Sequence, residues 1–275
     1  MRVKHLVITI TILTLIIALT AIILILKTPT PHIYIALGDS ISSGYGLPGY
    51  TKAPEGTYTT LFFEKLYQKG YVDEYHNFAA SGFTTTDLLE QLNNKTDEEK
   101  RLFRSARVIT VNIGGNNILT PFLGYLNDLQ ITSAINMWRG MLSSELEAML
   151  DEGVQTFKIE LEEIIIWLEA NAPKATIIIN TIHNPIPHEI MLISIPISNW
   201  SYALTTYMNQ STFEKSYQRG FLVSDVNAYL SQRLYLTNFN LNPFAGELSF
   251  DLVHPNEEGH RLIAELNYST FMGKD

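Results

Sequence analysis

Cysteine is absent from the sequence, and charged residues are scarce, at 17% of 275. Without cysteine the chain has neither a disulfide framework nor the residue that carries a lipoprotein anchor. The folded part must therefore be stabilised by its core alone, and a 46% share of hydrophobic residues is enough to build one. The length fits one large domain or two small ones.

Positive charge is scarcer than negative charge. Lysine and arginine together number 19, aspartate and glutamate 28, and the formal net charge is −9 at pH 7. A surface of that sign repels phosphate backbones and anionic headgroups. The composition therefore argues against nucleic acid as a partner and against a polybasic attachment to lipid.

Residues 6–26 lack both charge and proline. About 20 apolar residues span a bilayer. Arg2 and Lys4 precede the run and Lys27 follows it, which favours a cytoplasmic N-terminus. We therefore predict an N-terminal transmembrane helix, a signal anchor at 6–26, which makes the membrane a partner and the chain a single-pass protein of the cell membrane.

A cleavable signal peptide is the alternative to an anchor. Its apolar region is normally shorter and ends at a small-residue cleavage site, which this run lacks. The anchor divides the chain into a short cytoplasmic segment at 1–5, the span, a linker at 27–31 and a globular domain at 32–275. With either interpretation the domain lies outside the cytoplasm, and it is secreted if the segment is cleaved.

Strand and helix patterns alternate along the globular part. Runs of apolar and β-branched residues predict strands at 32–37, 75–80, 107–113, 175–182 and 221–226. Helical spacing predicts helices at 58–69, 84–93, 154–172 and 255–271. This alternation indicates an α/β fold with a parallel sheet covered on both faces. Two long connections, 119–152 and 184–220, are typical of lids, binding walls or extra helices.

Chemically active residues cluster at the predicted strand ends. Ser40 follows the first strand in Gly-Asp-Ser, Gly82 follows the second, and Asn116 follows the third in Gly-Gly-Asn-Asn. Asp251 and His254 precede the last helix. The carboxyl ends of parallel strands share one edge of a sheet, so we expect these loops to form a single site.

These residue types suit nucleophilic ester hydrolysis. A serine hydroxyl needs a base, and histidine has a pKa near the working pH. Asp251, three residues before His254, is placed to fix the tautomer of the imidazole and stabilise its charged form. The backbone N–H groups of Ser40 and Gly82 and the amide of Asn116 are candidate donors to an oxyanion.

Ser40, Gly82, Asn116 and His254 match the four signature blocks of the SGNH, or GDSL, hydrolase family. The resemblance runs from about residue 33 to the C-terminus. It implies a flavodoxin-like three-layer α/β/α sandwich with a central, mostly five-stranded parallel sheet. It also implies lipase or esterase activity that needs no metal or cofactor.

The resemblance also implies residue roles. Ser40 is expected to be the nucleophile, His254 the base and Asp251 the orienting acid, with Gly82 and Asn116 as oxyanion donors. In the family the third block usually ends Asn-Asp, whereas here Asn117 follows Asn116. This departure concerns the positioning of Asn116 rather than the reaction class.

The expected function is a serine ester hydrolase that acts on lipid or other acyl esters outside the cytoplasm. A deacetylase of cell-wall or exported polysaccharide is the alternative in the same fold. An inactive, membrane-tethered binding module is the alternative of another class, and the presence of Ser40, Asp251 and His254 argues against it.

Three further histidines have simpler interpretations. His183 and His188 are expected in an ordinary loop at the site edge, with substrate contact as the alternative. His260 could be combined with Asp251 and His254 in a metal site, but a catalytic zinc site normally needs three protein ligands and an open position. We therefore predict no metal.

Three other features leave alternatives open. Asp225 could compete as the partner of His254, but it is expected to cap the next helix. The acidic run 160–163 is expected to be a solvated helix face. The apolar segment 190–197 fits either buried core or a channel for an acyl chain.

Overall fold

The computed structural model describes residues 11, 13–20, 31–50, 54–128, 143–184, 195–231, 233–240 and 249–273. The chain divides into two compact units, Met1–Pro31 and His32–Asp275. Each unit is described by itself below.

In the first unit, residues 13–20 are helical and exposed. Within the described ranges, no helix combines the length and the apolar character needed to cross a bilayer. The prediction of a transmembrane helix at 6–26 is therefore wrong, and so is that part of the predicted fold class.

The second unit is built on a five-stranded parallel sheet. Its strands are β1 (Ile33–Gly38), β2 (Glu74–Asn77), β3 (Ala106–Asn112), β4 (Thr176–Asn180) and β5 (Leu222–Ser224). The strand order is β2-β1-β3-β4-β5, with all neighbours parallel. This is the flavodoxin-like order, whose switch point lies between β1 and β3. The predicted α/β fold with a central parallel sheet is confirmed.

The helices follow in chain order as α1 (Ser40–Ser43), α2 (Tyr58–Gln68), α3 (Thr85–Asn93), α4 (Asp97–Ser105), α5 (Gly115–Asp128), α6 (Ser144–Asn171), α7 (Ile195–Arg219), α8 (Val226–Leu230) and α9 (Glu257–Met272). A 3₁₀ turn occupies Leu234–Leu236. The two predicted long connections therefore include helical structure, and residues 129–142 and 185–194 lie outside the described ranges.

Apolar residues on both faces of the sheet create a core on each side. In β1, Ile35 and Leu37 pack with α3, α4, α6 and α7, whereas Tyr34 and Ala36 pack with α2, α8 and α9. All four residues are completely buried. A strand buried on both faces reads as a continuous apolar run, which explains why the sequence predicted β1.

A two-stranded antiparallel sheet follows the central one. It pairs β6 (Thr237–Asn240) with β7 (Ser249–Pro255), directly before α9. The sequence predicted a loop here. The hairpin matters for function because β7 contains Asp251 and His254.

Candidate active site

A tight turn presents Ser40 at the carboxyl end of β1. Gly38 has φ +134°, and a Cβ atom there would lie 2.0 Å from the backbone oxygen of Asn112. Glycine is therefore required where β1 passes beside β3. Asp39 caps the short helix α1 by accepting the Ile41 N–H at 3.0 Å, so Ser40 becomes the first residue of that helix.

Ser40, His254 and Asp251 form one hydrogen-bonded line. The Nε2 atom of His254 lies 3.0 Å from the Oγ atom of Ser40. The Nδ1 atom lies 2.9 Å and 3.0 Å from the two carboxylate oxygens of Asp251. Asp251 and His254 lie in β7, whereas Ser40 follows β1. Ser40 and His254 are 214 positions apart in the sequence.

The partners determine the tautomer of His254. An ionised carboxylate only accepts hydrogen bonds, so Nδ1 carries the hydrogen that faces Asp251. Nε2 then presents its lone pair to the Ser40 hydroxyl. This is the arrangement in which an imidazole removes a proton from a serine.

Asp251 is held in its ionised form by its neighbours. Half-burial alone would raise its pKa, but hydrogen bonds from the His254 ring and backbone, together with the Val253 N–H, bring the pKa below its usual value. The two backbone bonds measure 3.0 Å and 3.1 Å. The same carboxylate therefore holds the backbone of β7 and orients the imidazole.

His183 anchors the strand that carries these residues. Its Nε2 atom lies 2.9 Å from the carbonyl oxygen of Val253, which can only accept, so Nε2 carries a hydrogen. The residue is 5% exposed. Burial lowers the pKa of His183 to about 4. His183 thus lies in the loop after β4, as predicted, and it is a buried, neutral donor behind the site.

The loop around Gly82 lies beside the nucleophile turn. The Ala80 N–H donates to the Gly38 carbonyl at 3.0 Å, which joins the ends of β1 and β2. Gly82 has φ +84°, and a Cβ there would meet nothing within 4 Å. Within the described ranges, the N–H groups of Gly82 and Ser40 have no backbone or side-chain acceptor.

Asn116 lies in the first turn of α5, next to this loop. Its Nδ2 atom donates one hydrogen to the Phe83 carbonyl at 3.0 Å, which leaves the second hydrogen for another acceptor. Asn117 is buried and bonded instead to Thr85, through Nδ2 to the hydroxyl at 2.7 Å and through Oδ1 from the backbone N–H at 3.0 Å. The departure at position 117 therefore has a structural role in the same loop.

Two tyrosines beside the triad were missed by the sequence analysis. The ring of Tyr45 lies 4.6 Å, between centroids, from the imidazole of His254, and Tyr50 packs edge-on against Tyr45 at 5.4 Å. The Tyr50 hydroxyl is within 3.3 Å of Ser43 Oγ and 3.2 Å of Ser81 Oγ. The only sequence signal for their position beside the triad is that both tyrosines lie close to Ser40 in the chain.

The remaining candidates lie away from the chemistry or have other partners. The Nδ1 atom of His260 accepts the Tyr58 N–H at 3.2 Å. Asp225 caps α8 by accepting the Ala228 N–H at 3.2 Å, as expected. No group of three metal-binding side chains occurs in the described part of the chain. His188 and residues 190–194 of the apolar segment fall outside it.

The acidic run 160–163 is not simply a solvated face, and that prediction is wrong in part. Glu160 accepts hydrogen bonds from the hydroxyls of Thr85 and Thr86. Glu162 pairs with Lys215 at 2.7 Å and also with Arg219. These contacts join α6 to α3 and to α7.

The chain belongs to the GDSL-like lipase/acylhydrolase family, whose model matches residues 36–262. It is therefore an enzyme of the carboxylic ester hydrolase class, as the sequence predicted. No curated protein gives a significant match by sequence.

Several solved structures share the fold. A lipase from a goat rumen metagenome is 18% identical with a TM-score of 0.64, over 87% of this chain and 97% of that one. Phospholipase A1 from Streptomyces albidoflavus is 18% identical with a TM-score of 0.62, over 87% and 99%. The acetylxylan esterase Axe2 from Geobacillus stearothermophilus is 18% identical with a TM-score of 0.56, over 87% and 93%.

Proposed function

We propose that the chain hydrolyses acyl esters with Ser40 as nucleophile, His254 as base and Asp251 as the carboxylate that orients the base. One observation carries this proposal: Ser40 Oγ, His254 and Asp251 are joined by consecutive contacts of 3.0 Å and 2.9 Å. A serine hydroxyl becomes a competent nucleophile when such a base removes its proton.

The first half-reaction acylates the serine. Ser40 Oγ attacks the carbonyl carbon of the ester while its proton passes to Nε2 of His254. Asp251 stabilises the imidazolium. When the bond to the alcohol oxygen breaks, Nε2 delivers the proton to that oxygen, which leaves a free alcohol and an acyl group on Ser40.

The second half-reaction releases the acid. His254 Nε2 takes a proton from water, and the water oxygen attacks the acyl carbonyl. The bond to Ser40 Oγ breaks, and the serine oxygen recovers its proton from Nε2. The carboxylic acid leaves, and the site returns to its initial protonation state.

Each attack places negative charge on the carbonyl oxygen. The Ser40 and Gly82 N–H groups and the second Nδ2 hydrogen of Asn116 are the donors we assign to that oxygen. Their support is that none of these hydrogens is used by the described residues. Donors that are already oriented stabilise the oxyanion without reorganisation.

A covalent probe tests this assignment. A fluorophosphonate should label the wild-type protein, and Ser40→Ala should abolish both labelling and turnover of p-nitrophenyl esters. The melting temperature should change little, because the hydroxyl bonds His254 at the site rather than packing in the core. An active Ser40→Ala variant, or equal labelling of both proteins, would contradict the proposal.

Lipid or other acyl esters are the substrates we propose first. A polysaccharide deacetylase is the second candidate, and the shared fold with an acetylxylan esterase is the observation that favours it. A series of p-nitrophenyl esters from acetate to palmitate separates the two. Turnover that rises with chain length supports the lipid substrate, whereas turnover confined to acetate supports the deacetylase.

We also propose that the domain acts outside the cytoplasm. The support is the charge-free apolar run at 6–26, preceded by Arg2 and Lys4, which is typical of exported chains. Cell fractionation with an antibody to the domain is the test. Recovery in the cytoplasmic fraction alone would contradict export.

A further inference from the structure

A chain of hydrogen bonds runs from the long helix α6 to the loop that contains Gly82. The Oε2 atom of Glu160 accepts the Thr85 hydroxyl at 2.5 Å, and Thr85 Oγ1 accepts from Asn117 Nδ2 at 2.7 Å. Asn117 Oδ1 in turn accepts the Thr85 N–H at 3.0 Å. Three elements, α3, α5 and α6, therefore meet at one threonine.

The direction of every bond in this chain is fixed by chemistry. The Thr85 N–H can only donate, so Oδ1 of Asn117 must face it and Nδ2 must face the hydroxyl. The hydroxyl has a single hydrogen, and the carboxylate of Glu160 is its acceptor. Thr85 and Asn117 are 0% and 6% exposed, so water cannot replace a missing partner.

The loop that contains Gly82 and the adjacent first turn of α5 hold two of the proposed oxyanion donors. Asn116 donates to the Phe83 carbonyl at 3.0 Å, one residue beyond Gly82. Asn117 bonds both the backbone and the hydroxyl of Thr85, two residues further on. The position of the Gly82 N–H relative to Asn116 therefore depends on the bonds that fix Thr85.

We propose that Glu160 is a positioning residue for the oxyanion hole and acts through Thr85 and Asn117. The inference rests on the proposed function, because it concerns the donors assigned there. Glu160 touches neither Ser40 nor His254. Its role is to take the Thr85 hydrogen, which leaves the oxygen lone pair free to receive the amide of Asn117.

This polarity explains why an amide suits position 117. An aspartate there would place a second carboxylate on a hydroxyl whose only hydrogen already goes to Glu160. One acceptor would remain unpaired beside another negative charge, which is costly in a buried site. The reverse polarity, with a carboxylate at 117 and an amide at 160, again gives the Thr85 hydroxyl one donor and one acceptor.

Four variants test the proposal by steady-state kinetics. Asn117→Asp should lower kcat on the order of 10- to 100-fold, because a displaced donor stabilises the transition state less. Glu160→Ala should lower kcat in the same direction. Glu160→Gln should have a small effect, because its amide oxygen can still accept the Thr85 hydrogen. KM should stay nearly constant, because the oxyanion forms only during reaction.

The double variant Asn117→Asp/Glu160→Gln is the decisive one. Reversed polarity should restore most of the kcat lost by Asn117→Asp alone. Glu163→Ala is the matched control, since this exposed glutamate lies three residues further along α6. It should leave kcat unchanged.

Three results would each overturn the inference. The first is an Asn117→Asp enzyme with wild-type kcat, the second is a double variant no faster than Asn117→Asp, and the third is a Glu160→Ala enzyme with wild-type kcat. Glu160→Ala keeps the test decisive if Asn117→Asp fails to fold, since wild-type kcat there also refutes the role. Fluorophosphonate labelling of the wild-type protein separates this from failure of the proposed function, because the wild type contains no substitution at position 160.

Discussion

Asp39 is a buried carboxylate directly before the nucleophile. It is 3% exposed, and burial raises its pKa to about 6, although hydrogen bonds from Ile41 N–H and Asn112 act in the opposite direction. The folded state therefore holds a proton on Asp39 more tightly than the unfolded chain does. Ionisation of this group at neutral pH costs stability.

Replacing Asp39 with asparagine should reveal that cost. The wild-type free energy of unfolding should lose about 2 kcal/mol from this group as the pH rises from 4 to 7, since each pKa unit is worth roughly 1.4 kcal/mol. The Asp39→Asn protein lacks this loss but keeps an oxygen acceptor for Ile41. Urea unfolding at several pH values measures it, and parallel curves for the two proteins would contradict the prediction.

Asn116 offers a prediction about turnover rather than stability. In Asn116→Ala, one oxyanion donor is lost, so kcat should fall about 100- to 1000-fold with little change in KM. Steady-state kinetics on a p-nitrophenyl ester measure both constants. A raised KM with unchanged kcat would place Asn116 in substrate binding instead.

At the scale of elements, α6 crosses α5 at a glycine contact. A Cβ atom on Gly153 would lie 2.1 Å from the backbone oxygen of Asn117, so a side chain there would push the two helices apart. Gly153→Ala should therefore destabilise the domain by about 1 to 3 kcal/mol, as overpacking does. It should also lower kcat, because the displaced turn contains Asn116.

Gly124 is the control for that substitution. It lies in α5, and a Cβ there would meet nothing within 4 Å. Gly124→Ala should stabilise the domain by about 0.5 to 1 kcal/mol through helix propensity alone. Thermal unfolding of Gly153→Ala and Gly124→Ala measures the two effects on stability. Equal melting temperatures would show that the contact between α5 and α6 is not tight.

Which elements the sequence predicts depends on how regular their patterns are. Strands such as β3 and β4 are continuous β-branched runs, so periodicity identifies them. Helix α5 contains Pro121 and Gly124, which argue locally against a helix although tertiary packing forms one. The hairpin β6–β7 was predicted as a loop because β6 has only four residues and the apolar residues of β7 are interrupted by polar ones.

The residues of the site also divide into those that the sequence pattern predicts and those that it does not. Ser40 and His254 were expected in one site because Ser40 follows a strand at one edge of the sheet and His254 directly precedes the last helix. His183, Tyr45 and Glu160 contribute through contacts between residues at least 70 positions apart or through ring packing, which periodicity does not encode. Such contacts become predictable only when the layers of the fold are known.

At the scale of the whole molecule, two buried histidines make stability depend on pH. Burial lowers the pKa of His183 to about 4 and that of His260 to about 3. Below the unfolded pKa of about 6.5, the unfolded chain binds protons that the folded domain refuses, so acid favours unfolding. Asp39 acts oppositely over part of this range, but two histidines outweigh one carboxylate.

His183→Gln isolates one of these contributions. Glutamine can keep an N–H donor for the Val253 carbonyl but does not titrate. From pH 6.5 to 4 the wild-type free energy of unfolding should fall by about 3 kcal/mol more than that of the variant. The reason is that the pKa of His183 in the folded domain lies about 2.5 units below its value in the unfolded chain. If the His183→Gln and wild-type profiles coincide, the ring of His183 is protonated in the folded domain, and its role as a neutral donor behind the catalytic strand is wrong.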